Sequence, residues 1–96
     1  MKTTAGELIY SDDIQQARAD GLPVVALEST LITHGLPYPV NVETARALEH
    51  EVRSAGAVPA TIALLAGRIH VGLSDDQLLY LGRASNVRKC SRRDLA

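Results

Sequence analysis

The sequence predicts an α/β fold with helices packed against a mixed sheet, on three observations. A continuous apolar run, Val24 to Leu27, is too short for a helix and suits a strand covered on both faces. Val42, Ala45, Leu48, Val52 and Ala55 recur at three- and four-residue steps, the period of one helix face. ATIALLAG, residues 60 to 67, then gives way to RIHVGL, in which Ile69, Val71 and Leu73 alternate with Arg68, His70 and Gly72.

Each element has its own local reasons. Ser11 followed by Asp12 and Asp13 predicts a short helix whose first-turn acids suit the positive end of the helix dipole; Gly21 and Pro23 close it. The strand that follows ends at Glu28. In the amphipathic helix, Asn41 is placed to cap the start, Glu43 and Arg53 suit its two dipole ends, and Gly56 supplies the left-handed stop. Its polar face carries Glu43, Arg46, His50 and Arg53. Ala66-Gly67 is a turn that would make part of the sheet antiparallel. Ser74-Asp75-Asp76-Gln77 has the capping-box pattern, a hydroxyl followed three residues later by Gln, and starts a third helix through Leu78, Leu79 and Leu81. Asn86 to Cys90 reads as a last strand, and Ser91-Arg92-Arg93-Asp94 as the cap of a further helix.

Composition narrows the classes. The 96 residues make one small domain at most, with room for one modest core. With 46% hydrophobic and 22% charged residues, the composition is that of a globular chain. No stretch is apolar for long enough to span a membrane. The N-terminus MKTTAGELIYSDDIQQ has acids where a signal peptide has an apolar run, and the single Cys90 excludes an intrachain disulfide; a cytoplasmic protein is expected.

Charge is uneven. Residues 1–82 hold ten acids and five bases, whereas residues 83–96 hold one acid and five bases. Such asymmetry suits an anionic partner, but without interleaved aromatic residues it makes a poor nucleic-acid surface. A single phosphate is the more economical ligand. Arg88, Arg92 and Arg93 are candidates to hold it, since guanidinium groups match phosphate oxygens in bidentate fashion, and Lys89 lies among them. A solvated patch, or pairing with Asp94, is the competing reading.

Glu28 is the principal candidate for chemistry. In open α/β sheets the binding crevice lies beyond the C-terminal ends of strands, where its side chain would project. A carboxylate dehydrated at that position can hold a proton and give it up. Capping of nearby amides or pairing with an arginine would serve equally to place an acid there. His34, His50 and His70 lack metal-ligand spacing; His50 fits a solvated helix face and His70 the polar side of a strand.

ALEST at 26–30, THGLPYP at 33–39, GAVPATIALLAG at 56–67, VGLS at 71–74 and the K-x-SRRDL pattern at 89–95 resemble, in order and spacing, the N-terminal part of the pseudouridine-5'-phosphate glycosidases. The resemblance spans residues 22–95. It implies an α/β/α layered fold and reversible cleavage of the carbon–carbon glycosidic bond of pseudouridine 5'-phosphate, giving uracil and ribose 5-phosphate. It also implies a manganese-dependent enzyme assembled as a homotrimer. Family members are thought to open the ribose ring and form a lysine imine at the sugar carbon, dividing one hard step into easier ones. By position, Glu28 matches the family's proton-donating glutamate, and Lys89 a lysine that contacts substrate. Ser29, Thr30, Thr33 and His34 fall in the matching loop without individual roles. The metal-binding aspartate and the imine-forming lysine of the family are expected beyond Ala96. Residues 1–96 thus correspond to an incomplete α/β domain, the N-terminal third of the family's fold, and are expected to have little or no activity alone. A noncatalytic binder of phosphorylated sugars or nucleotides, or a nonfunctional remnant, are the alternatives.

Overall fold

The computed structural model describes residues 8–84. The order is β1 (Leu8–Tyr10), α1 (Asp12–Ala19), β2 (Val24–Glu28), a π-helical turn (Leu31–Gly35), α2 (Val40–Ser54), β3 (Val58–Leu65) and β4 (Arg68–Val71), followed by helical residues 75–84, termed α3. The expected strand at Asn86–Cys90 and the cap at Ser91 lie outside the described residues.

The strands form one sheet in the order β1-β4-β3-β2. β2 runs parallel to β3, β1 runs parallel to β4, and β3 and β4 are antiparallel, so the expected mixed α/β architecture is present. The β3–β4 turn falls at Ala66-Gly67 as expected, with φ of 51° and 76°. Two successive positive φ values are what a two-residue hairpin turn demands.

The helix signals act as predicted at α1 and α3. The Ser11 side chain accepts from the Ile14 amide at 3.3 Å. Gln77 N donates to Ser74 Oγ at 3.1 Å, while Ser74 N donates back to the Gln77 side-chain oxygen at 2.9 Å. Each pair satisfies amides that the first helical turn leaves without partners. α2 departs from expectation at its start. The helix begins at Val40, with Pro39 at the cap position and no side-chain cap, and Asn41 turns inward to complete burial. An inward Asn41 finds backbone partners on two other elements, which outweigh one capping bond to its own helix.

The core lies between α2, α3, the π-helical turn and one face of the sheet, where Ile32, Val42, Ala45, Ala63, Leu78 and Leu81 pack together. Thr61, also buried on that face, donates to Glu49 of α2 at 2.7 Å. α1 adds Ile14 and Ala17. Two expectations about the strands are corrected. Val24 to Leu27 was expected to be covered on both faces, yet Val24 and Val25 remain 37% and 40% exposed. Among the described residues β2 ends the sheet, and α2 packs over its neighbour β3. His70 was expected on a polar side; its register partner is buried Ala63, so the two share the face that α2 covers. Bare Gly72, whose Cβ would meet Ser11 and Ile14, lets α1 descend on that side.

Candidate functional site

Glu28 is the last residue of β2, at the C-terminal end of the parallel β2–β3 pair, as expected. Its register partner is Ile62, one position past Thr61, so it lies on the face opposite α2. Dehydration was expected there, but Glu28 is exposed. A terminal strand has a neighbour on one side only, and α2 lies over the other face. Its carboxylate receives one side-chain bond, from Thr30 Oγ1 to Oε1 at 3.2 Å.

The chain after Glu28 is tightly wound. Ser29 carbonyl accepts from the Ile32 and Thr33 amides at 2.9 and 3.0 Å, and from Thr33 Oγ1 at 3.2 Å. The hydroxyls of the ALEST-ITHG segment therefore divide their work. Thr33 satisfies local backbone, whereas Thr30 reaches the carboxylate. Buried Ile32 pins the turn into the core. Further along, Tyr38 Oη accepts from Arg83 Nε at 3.2 Å, tying the segment to α3.

Lys89, Arg88, Arg92 and Arg93 lie outside the described residues. His50 is exposed on α2 as expected. Among the described residues no group of three or more His, Cys, Asp or Glu side chains is placed to hold a metal ion. Nor is any described helix long and apolar enough to cross a membrane. A groove lined by Tyr10, Ser11, Asp13, His70, Ser74 and Gln77 at the starts of α1 and α3 does not include Glu28. Sequence reasoning missed two residues that touch the Glu28 segment. Thr30 stood among several equivalent hydroxyls, and Asn41 carried the same signal as a helix cap.

A carboxylate presented at the end of a parallel strand, on a turn wound by its own backbone, defines an α/β unit with a strand-end acidic site. The chain belongs to the indigoidine synthase A like protein family, whose profile matches residues 13–96. It is 60% identical over 89 residues to a pseudouridine-5'-phosphate glycosidase of Jannaschia sp. (strain CCS1), covering 93% of this chain and 30% of the relative. It is 53% identical over 95 residues to the protein of that name in Alkaliphilus metalliredigens (strain QYMF), covering 99% and 31%. The resemblance read from the sequence is thereby borne out. The chain spans about three-tenths of the length of these curated relatives.

Two solved structures share the fold. An indigoidine synthase A-like protein from Thermotoga maritima superposes with a TM-score of 0.68 at 27% identity, over 88% of this chain and 27% of its own. The prealnumycin C-glycosynthase AlnA, solved in complex with ribulose 5-phosphate, gives 0.63 at 47% identity, over 78% and 24%.

Proposed function

We propose that this chain is the N-terminal part of a pseudouridine-5'-phosphate glycosidase, supplying the acid/base carboxylate Glu28 and the substrate contact Lys89. The observation that carries the reading is the position of Glu28, solvent-accessible at the C-terminal end of β2 within a segment shared with relatives of that name. Breaking the carbon–carbon glycosidic bond requires a proton at the uracil carbon that leaves the sugar, and the reverse reaction removes it. Glu28 gives and recovers that proton, with Thr30 holding one carboxylate oxygen. Ribose 5-phosphate leaves on the other side of the cleavage; Lys89 contacts the substrate, and Arg88, Arg92 and Arg93 meet its phosphate. AlnA, crystallised with ribulose 5-phosphate, supports an open-chain pentose phosphate as the ligand class of this fold.

The rest of the reading follows the family. The ring-opening imine forms on a lysine beyond residue 96, manganese is bound by an aspartate also beyond it, and the complete enzyme is a cytoplasmic homotrimer. Pseudouridine 5'-phosphate, uracil and ribose 5-phosphate are the small-molecule partners, with no nucleic acid and no membrane surface involved.

The test is uracil release from pseudouridine 5'-phosphate in manganese buffer by two proteins. One is the 96-residue chain; the other is a hybrid in which this chain replaces the matching 30% of the Jannaschia protein. The hybrid is expected to turn over, the short chain to show little or no activity, and Glu28→Ala to abolish turnover in the hybrid. A folded hybrid without turnover, or an active Glu28→Ala hybrid, refutes the assignment.

A further inference from the structure

Asn41 is fully buried, with 0% of its surface exposed. Its Nδ2 donates to the Ile32 carbonyl of the π-helical turn at 3.1 Å and to the Gly82 carbonyl of α3 at 3.2 Å. Its Oδ1 accepts from the Val42 amide of α2 at 2.8 Å. A carboxamide has two N–H donors, and both are used, each on a different element. Burying an amide is unfavourable unless it is bonded in this way, so an apolar residue would be the simpler filler. The site is also tight. A Cβ on Gly82 would overlap Val42 Cγ2 and sit 3.3 Å from both Asn41 side-chain polar atoms. α2 and α3 therefore approach closely at Gly82, where an added side chain would meet Val42 before the amide.

The contacts continue on both sides. The turn held at Ile32 is wound onto the Ser29 carbonyl and carries Thr30, whose hydroxyl reaches Glu28. On the other side α3 is held at Gly82. Arg83, the next residue, makes a second tie back to Tyr38.

We propose that Asn41 is a positioning residue, which fixes the turn after Glu28 against α3 and so holds the acid/base carboxylate in place. This rests on the role given to Glu28 above. Asn41 touches neither substrate nor Glu28, and it acts through the Ile32 and Gly82 carbonyls.

Hydrogen exchange on the 96-residue chain tests the clamp without any catalytic assumption. In Asn41→Leu, which removes both donors, the Ile32 and Thr33 amides are expected to exchange roughly tenfold faster relative to amides of the β3–β4 pair, because local opening no longer breaks the two buried bonds. Uniform acceleration across β3, α1 and α2, or none, overturns the proposal. Should Asn41→Leu fail to fold, Asn41→Ser keeps one donor and is read the same way, with a smaller local acceleration expected. In the Jannaschia hybrid, Asn41→Ser is expected to lower kcat about tenfold with KM within about twofold, the signature of a displaced acid/base group rather than lost substrate binding. A lowered Tm with unchanged kcat would make Asn41 merely structural and overturn the positioning role. An inactive wild-type hybrid counts against the glycosidase reading alone, and the exchange experiment still decides the clamp.

Discussion

Replacing Gly72 by alanine is the most demanding test of how α1 sits on the sheet. Gly72 has φ of +90°, and a Cβ there would overlap Ser11 Oγ and stand 2.7 Å from Ile14 Cγ1. Two costs combine. A side chain in left-handed backbone costs about 1–2 kcal/mol. Overpacking against a fixed neighbour adds about 1–3 kcal/mol, and Ile14 is only 1% exposed and has nowhere to go. Displacing Ser11 also weakens the cap of α1, worth about 1 kcal/mol. The total, about 3–6 kcal/mol, is a large share of the 5–15 kcal/mol typical of a whole domain. Gly67→Ala is the matched control, because Gly67 also has positive φ, +76°, but its Cβ would meet nothing within 4 Å. Urea titrations followed by circular dichroism should show Gly67→Ala down by about 1–2 kcal/mol and Gly72→Ala down by at least about 1 kcal/mol more. Equal losses would mean that α1 does not pack on Gly72.

Three further perturbations read other joints of the structure. Thr61→Val conserves shape but strips Glu49 of the hydroxyl donated at 2.7 Å, and should cost about 1–3 kcal/mol in the same titration. Ser74→Ala removes half of the capping box and should cost about 1 kcal/mol, with faster amide exchange confined to the first turn of α3. The two-bond Arg46–Asp75 pair is short at 2.7 Å, but its side chains are 44% and 65% exposed. A double-mutant cycle should therefore return a coupling of only about 0.2–1 kcal/mol, shrinking as salt is added.

What the sequence revealed and what it hid divide along the distance over which the physics acts. The caps at Ser11 and Ser74, the helical period from Val42 to Ala55, and the Ala66-Gly67 turn are set by neighbours a few residues away, and all were legible. β1 was not. Leu8–Tyr10 is a strand only because Ile69–Val71 pairs with it from far along the chain, and three residues carry no period. Asn41 misled because one residue type serves both as an exposed cap and as a buried bridge, and only the carbonyls of Ile32 and Gly82 decide between them. For the candidate site, strand position and family pattern singled out Glu28, and the structure puts it at the end of β2. The exposure of Glu28 depends on which strand ends the sheet, and neither pattern contains that.

The sheet order also orders assembly. Leu65 pairs with Arg68 across two intervening residues, so β3 and β4 can meet as soon as they are made. Val24 and its partner Val58 are separated by 34 positions, and Leu8 and its partner Ile69 by 61. Loop closure grows costlier with length, so the hairpin is the natural nucleus, β2 joins it next, and β1 closes last on the far side. The segment bearing Glu28 is thus fixed midway through folding, onto a template that already exists, while the three residues of β1 contribute mainly to how slowly the finished sheet comes apart.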